Sequence, residues 1–313
     1  MKAIAAISLN TFREAVRDRV LYSMLLFAIG LILFSLVLGK IAPREQLRLT
    51  VDVGLAAISL MSIILAVFLG GTNLHKEIDR KTVYFILPMP IGRWQFLTGK
   101  FLGMLWVLVI TLGVMGGTLL TVVSWHDPEM QGMVLALAGA DVALVVVLAV
   151  ALRRRPVLWP AILTAWVLGS GTVLAVRAGA EVDLVYQGLC LVLTEATVVT
   201  TIALLFSSFS TPFLSGILTF LVFVAGRELT WLDSLAERVD SPLLDRVLAV
   251  VGAVFPNCYL FAPSVNVLEG RFVVGGWPEA PWLLVGHAAT YGLLYSVIVL
   301  GLAGLVLWRR DFV

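Results

Sequence analysis

The 313-residue chain is too apolar for an ordinary water-soluble protein. Hydrophobic residues make up 60% of it and charged residues only 13%, compared with about 25% charged in typical soluble domains. Its mean hydropathy is +1.01. We therefore expect the chain to lie in the lipid bilayer and to bind no nucleic acid. The two cysteines, Cys190 and Cys258, are too few for a disulfide framework and are interpreted as small apolar fillers.

Residues 1–19 precede the first apolar run and carry charge without a small-residue cleavage site, so we expect them to be retained and not removed as a signal peptide. One face of a helix would collect the apolar residues Ile4, Ile7, Phe12, Val16 and Val20. Arg13, Arg17 and Asp18 fall largely on the other face. This pattern predicts an interfacial helix lying along the membrane, and the alternative is a frayed polar leader.

Eight apolar segments follow, each near the roughly 20 residues that a helix needs to cross a bilayer. They lie at about 20–40, 53–74, 98–124, 132–152, 156–177, 184–206, 212–228 and 283–307. We predict an all-α polytopic membrane helical bundle of about eight transmembrane helices, which forms a single domain over residues 1–313. An even number of crossings places both termini on one side.

The orientation follows from the basic residues, which are retained near span ends on the cytoplasmic side. If the N-terminus is inside, the inner segments hold Lys2, Arg13, Arg17, Arg19, Lys76, Arg80, Lys81, Arg93, Lys100, Arg153, Arg154, Arg155, Arg309 and Arg310. These are 14 of the 22 basic residues. Both termini are therefore predicted to be cytoplasmic, and residues 229–282 form the longest extracytoplasmic segment. Helical spacing after Ser241 and Pro242 predicts a helix along the outer surface there.

Segment 75–97 is a charged, proline-containing stretch between the second and third spans. It mixes acidic and basic residues with apolar ones and is broken by Pro88 and Pro90. Such connections are usually short and polar, whereas this one keeps Val83, Tyr84, Phe85, Ile86 and Leu87 beside the charges. Apolar groups rimmed by charge favour a protein partner, and the alternative is an ordinary solvated loop.

The third span contains two pairs of glycines, each pair with small-x-x-x-small spacing. They are Gly99, Gly103, Gly113 and Gly117. Small residues let helix backbones approach closely in lipid. The pairs predict a tight contact either within the bundle or at a dimer interface, unless they reflect only the abundance of glycine.

Two acidic residues, Asp141 and Glu195, fall within predicted spans. A carboxylate at the bilayer centre costs roughly 2.5 to 3.5 kcal/mol on insertion scales, so each should face protein or water. Three interpretations remain open: the acids line a translocation path, they relay protons or cations, or they are protonated or hydrogen-bonded to Thr, Ser or Trp.

The histidines are dispersed as His75, His126 and His287, with no spacing typical of a metal site, so we expect no metal and no cofactor bound by this chain. A membrane enzyme would need a nucleophile and a base at matching depth. Ser170 or Ser215 with His287 offers only a nominal pair, and we expect no enzyme activity.

One set of motifs resembles the type-2 ABC transporter permease family of exporters. It comprises Glu77 to Thr82, Leu87-Pro88-Met89-Pro90, Arg93, Gly99-Lys100, the leader from Phe12 to Arg19, Pro256-Asn257 and Trp308 to Phe312. The match is closest to multicopper-enzyme-maturation and sodium-export permeases. Those permeases usually have six spans, so residues 132–177, joined by Arg153, Arg154 and Arg155, resemble an inserted helical hairpin.

The resemblance implies a transmembrane permease subunit in the cell (cytoplasmic) inner membrane that exports a substrate we do not identify. ATP and Mg would be bound by a separate ABC ATPase subunit, consistent with the lack of a phosphate-binding G-x-x-x-x-G-K-[ST] loop here. A second permease copy is also implied. Segment 75–97 would be the coupling segment that docks on the ATPase, through Glu77, Arg80, Lys81, Thr82, Leu87, Arg93 and Lys100. The alternatives are a stand-alone secondary transporter and a membrane scaffold of a complex.

Overall fold

The computed structural model describes residues 2–41, 44–79, 92–152, 158–228, 252, 255–262 and 281–309, and these form a helical bundle. The helices are α1 (Lys2–Val16), α2 (Arg19–Gly39), α3 (Gln46–Asp79), α4 (Arg93–Ser124), α5 (Gln131–Ala151), α6 (Leu158–Arg177), α7 (Val182–Ser207), α8 (Pro212–Arg227) and α9 (Pro281–Arg309). One 3₁₀ turn, Cys258–Phe261, precedes α9. The prediction of an all-α polytopic membrane bundle is confirmed.

Seven of these helices, α2 to α7 and α9, are long and apolar enough to cross a membrane. The remaining predicted span, 212–228, corresponds to α8, which has 16 residues and is therefore about 24 Å long, less than the roughly 30 Å of a hydrocarbon core. The predicted eight crossings thus correspond to seven long helices and one shorter apolar helix.

Helix α1 is ordered along its length and packs against α4, which is not the frayed leader of the alternative interpretation. Phe12 and Val16 are buried, whereas Arg13 and Arg17 are exposed, as the helical projection predicts. The carboxylate of Asp18 accepts a hydrogen bond from the amide N of Val20 at 3.0 Å. This cap begins α2 and separates it from α1.

The centre of the bundle consists of α3, α4 and α7. In the apolar part of α4, 83% of the residues are buried, whereas in the apolar part of α5 only 11% are buried. Helix α5 packs on α6 and α4 at the periphery. The predicted hairpin 132–177 therefore has two different halves, because α6 packs along α4 while most of α5 faces outward.

Helices α3 and α7 run parallel, in a register set by small residues. Gly188 lies against Leu55 near the start of both helices, and Gly70 lies against Ala203 near their far ends. We call the end from which α3 and α4 lead into residues 80–92 the proximal end, and the opposite one the distal end. On the predicted orientation, the proximal end is cytoplasmic.

The four glycines of α4 lie at close helix contacts within the chain. Gly99 and Gly103 face α1, where a Cβ on Gly103 would lie 2.6 Å from the Cβ of Thr11. Gly113 and Gly117 face α6, where a Cβ on Gly117 would lie 2.7 Å from the Cα of Leu168. One pair thus fits the N-terminal helix against α4 and the other fits the hairpin.

Two predicted features lie mostly outside the described residues. Within segment 75–97, the structure describes the end of α3 at Asp79 and the beginning of α4 at Arg93. Within segment 229–282, it describes residues 252, 255–262 and 281–282. The helix predicted after Ser241 and Pro242 is not among them.

Candidate functional site: a buried ion pair between α7 and α8

The carboxylate of Glu195 is completely enclosed near the middle of α7. Its Oε1 lies 2.6 Å from Nη1 of Arg227 in the last turn of α8. Its Oε2 accepts a hydrogen bond of 2.9 Å from Oγ of Ser59 in α3. The side chain of Glu195 is 0% exposed and that of Arg227 is 33% exposed. We call Glu195, Arg227 and Ser59 the ion-pair cluster.

The α7–α8 hairpin brings the two charges to the same depth. Helix α7 ends at Ser207 and α8 begins at Pro212, a residue favoured in the first turn of a helix. Measured from this turn, Glu195 lies about 18 Å along α7 and Arg227 about 22 Å along α8. The arginine side chain spans the remaining distance, and its positive charge also suits the C-terminal end of α8.

Sequence reasoning missed this pair because it counted Arg227, at the end of the predicted span 212–228, among the outer charges and named only Thr, Ser and Trp as partners of the buried acids. The available signal was the nearly equal spacing of an acid and a base from one Ser-rich turn at residues 207–211. This spacing predicts the pair only if α7 and α8 are antiparallel and α8 is short. Of the three interpretations of Glu195, the hydrogen bond from Ser59 matches the third, and the ion pair is an addition to it.

Residues 255–262 close the distal side of the cluster. Gly226, next to Arg227, approaches the carbonyl oxygen of Pro256 so closely that no side chain would fit there. The amide N of Asn257 donates a hydrogen bond of 3.0 Å to the hydroxyl of Tyr291 in α9. Cys258 is buried, and burial raises the pKa of its thiol to about 12, so it remains a neutral thiol. The filler role predicted for Cys258 agrees with this environment.

The arrangement makes Glu195 dependent on its partners. An ionised carboxylate without a partner is expensive in a low-dielectric interior, and here a guanidinium and a hydroxyl supply its partners from two different helices. Any movement that separates α8 or α3 from α7 exposes the carboxylate to water or leaves it unpaired. The cluster can therefore hold the three helices together through its ion pair and its hydrogen bond.

Asp141 lies in a different part of the bundle, on the peripheral helix α5. Its Oδ1 accepts a hydrogen bond of 3.0 Å from Nε1 of Trp166 on α6. Trp166 is 47% exposed, so the pair lies at the surface of the hairpin. The structure therefore separates the two acids, and Trp was among the partners that the third interpretation named.

The predicted docking residues are only partly described. Glu77 lies in the last turn of α3 and Arg93 begins α4, while Arg80, Lys81, Thr82 and Leu87 lie outside the described residues. Lys100 is 1% exposed and its Nζ lies 5.3 Å from the ring centroid of Phe96. Lys100 is thus an interior residue, which can influence a docking surface only through its neighbours.

Among the described residues, no group of three or more His, Cys, Asp or Glu side chains is placed to hold a metal ion. His126 instead has its Nε2 3.3 Å from Oγ1 of Thr50, which joins α3 to the end of α4. Comparison of the sequence with protein-family models and with curated proteins gave no match.

Proposed function

We propose that this chain is the permease subunit of an ABC transporter, which couples ATP hydrolysis by a separate ATPase subunit to export. The observation that carries the proposal is the length of the two central helices that flank segment 75–97. Helix α3 has 34 residues and α4 has 32, so they are about 51 and 48 Å long. Both exceed the roughly 30 Å hydrocarbon core.

The excess length of α3 carries charge. Its apolar span ends at Thr72 and the helix continues to Asp79, through Lys76, Glu77 and Asp79. These residues suit water and a charged protein surface better than lipid. A stiff helical projection with mixed charge is the kind of element on which a soluble subunit can act.

The packing of α3 supports mechanical coupling between this projection and the ion-pair cluster. Gly70 of α3 lies against Ala203 of α7, and Ser207 of α7 donates a hydrogen bond to the carbonyl of Gly71. Ser59, eleven residues before Gly70 in α3, holds Glu195. A displacement of the proximal end of α3 would therefore shift α3 against α7 and strain the contact between Ser59 and Glu195.

In this mechanism, ATP-driven closure of two ATPase subunits moves the coupling segment, and α3 and α4 transmit the motion. Opening of the bundle would separate α8 from α7 at the cost of the Glu195–Arg227 pair, so the pair favours the closed state. Export in this direction is part of the proposal, as is pairing with a second permease copy.

The test is co-purification of the tagged chain from its native membrane, followed by ATP hydrolysis on the purified sample. The variant Glu77→Ala/Arg80→Ala/Lys81→Ala is compared with the native chain. A matched control, Glu129→Ala/Lys40→Ala/Arg177→Ala, removes the same charges at exposed distal positions. We expect an ATPase subunit to be retained by the native chain and the control and lost by the coupling variant.

Absence of any nucleotide-binding subunit from the folded native chain would contradict the proposal and favour a secondary transporter. Co-purification of other proteins without ATPase activity would favour the scaffold alternative. Equal retention by all three proteins would place the docking surface elsewhere.

A further inference from the structure

A cavity of about 450 Å³ opens at the distal end of the bundle, between three central helices. Its walls come from the first turns of α3 and α7, the last turns of α4, and the turn between α6 and α7. This volume is within the range of small-molecule sites. The cavity is at the opposite end of α3 from segment 75–97.

The rim of the cavity carries charges of both signs. Arg48 lies in the first turn of α3, Arg44 and Glu45 immediately precede that helix, and Glu181 lies on the same rim. The N-terminal ends of α3 and α7 both reach it, and each supplies partial positive charge. The rim therefore offers groups for an anion and, beside them, carboxylates for a cation.

The floor of the cavity is apolar and belongs to the core. Val51, Leu120, Val123 and Val185 are all less than 7% exposed and line the cavity beneath the rim. Leu184 completes this wall from α7. A ligand that fills the cavity must therefore place apolar atoms inside and polar atoms at the mouth.

The depth of the rim favours a lipid over a soluble metabolite. Gln46 and Val182 are the first residues of two helices that are long and apolar enough to cross a membrane, so in a bilayer we expect the rim to lie near the phosphate headgroups. A phospholipid has an apolar tail, a phosphate and, in its zwitterionic forms, a cation a few bonds away. These three parts match the floor, the arginines and the glutamates.

We propose that this cavity binds a zwitterionic phospholipid, with its phosphate at Arg44 and Arg48, its ammonium at Glu45 and Glu181, and the start of an acyl chain against the apolar floor. The site is distinct from the ion-pair cluster and from the coupling segment. Its occupation does not require that the lipid be the exported substrate.

The test is native mass spectrometry of the purified full-length chain in detergent, titrated separately with phosphatidylethanolamine, phosphatidylglycerol and inorganic phosphate. We expect phosphatidylethanolamine to bind most tightly. Arg44→Gln/Arg48→Gln should weaken it at least about tenfold, the factor for one lost charge-assisted hydrogen bond. Lys40→Gln/Arg177→Gln, which makes the same charge change at exposed distal positions outside the cavity, should leave the affinity within about twofold.

The variant Leu184→Asn tests the floor without altering the rim charges, and should weaken lipid binding while leaving any binding of inorganic phosphate unchanged. It keeps the proposal open to refutation if the double arginine variant does not fold. Equal lipid affinity of the native chain and Leu184→Asn would overturn the proposal. So would tighter binding of phosphatidylglycerol, or competition by inorganic phosphate at equal concentration, which would indicate a simple anion site.

Discussion

Glu195 shows how one residue can depend on three helices. Its carboxylate is fully buried on α7, and its two oxygens are held by Arg227 of α8 and Ser59 of α3. A buried ion pair contributes little net stability compared with apolar packing, but loss of one partner is strongly destabilising. Because Arg227 is partly exposed and Glu195 is fully buried, the two possible single deletions are not equivalent.

We predict that Arg227→Met destabilises the protein more than Glu195→Gln does. The first change leaves a buried carboxylate with Ser59 alone, at a cost of about 3 kcal/mol, the low end for a broken buried pair because Arg227 is one-third exposed. The second leaves a guanidinium that is already one-third exposed. Thermal unfolding in detergent, followed by tryptophan fluorescence, measures the difference.

The double variant Glu195→Gln/Arg227→Met provides the internal check, since it removes both charges and should be more stable than Arg227→Met alone. Arg177→Met, an exposed arginine at the end of α6, should change stability by no more than about 0.5 kcal/mol. If Arg227→Met matched this control, the ion pair would have no structural role.

Among the helices, α4 packs closely against its neighbours at glycines, where no side chain keeps the backbones apart. We predict that Gly117→Ala and Gly103→Ala each destabilise the bundle by about 1 to 3 kcal/mol, as overpacking does. A Cβ on Gly117 would meet the backbone of α6, and one on Gly103 would lie 2.7 Å from the carbonyl oxygen of Ser8 in α1. Backbone atoms cannot move aside as a flexible side chain can.

Gly139 of α5 is the matched control, because a Cβ there would meet nothing within 4 Å. Gly139→Ala should be neutral or stabilising by up to about 1 kcal/mol, the helix-propensity difference. The measurement is the unfolding temperature of the three single variants in one detergent. Equal effects at all three positions would mean that the close contacts in α4 do not limit stability.

Helix α5 provides a prediction about membrane insertion. Its Asp141 is bonded to a partly exposed tryptophan on α6, so within the described residues the carboxylate that α5 brings into the bilayer has its partner on the other helix of the hairpin. We expect Asp141→Leu to favour insertion of α5 by roughly 3 kcal/mol. Glycosylation mapping of the isolated α5 segment, with and without α6, measures this. The native segment should insert better when α6 follows, and the variant should show no such dependence.

The sequence predicted the elements better than it predicted their partners. The ends of the spanning helices follow from hydropathy, and helix ends agree with the predicted segments to within a few residues for most spans. The partners of the α4 glycines and of Glu195 depend on which helices are neighbours, and a local pattern cannot specify that. Arg227 was not predicted as the partner of Glu195, because hydropathy predicts the span 212–228 but not that this span lies antiparallel to α7.

At the scale of the whole molecule, the contacts around α8 and α9 determine the number of crossings. Gly226 at the end of α8 lies against Pro256, and the amide of Asn257 bonds to Tyr291 in the first half of α9. The chain therefore returns into α9 from the same end at which α8 stops. Helix α9 then runs parallel to α7, with Gly292 against Thr194, and ends proximally.

This topology predicts the side of the membrane on which each loop lies, including the two ends of the short helix α8. Single cysteines are placed at Lys40, Glu129, Thr211 and Glu228, all exposed, in a Cys190→Ser/Cys258→Ala background. In intact cells, a membrane-impermeant thiol reagent should label positions 40, 129 and 228 and should reach position 211 only after permeabilisation, because basic residues hold the proximal end inside. If position 228, like 211, were labelled only after permeabilisation, α8 would return without crossing, which would leave seven spans and put the C-terminus outside. Labelling of 211 alone in intact cells would instead preserve eight crossings and reverse the predicted orientation.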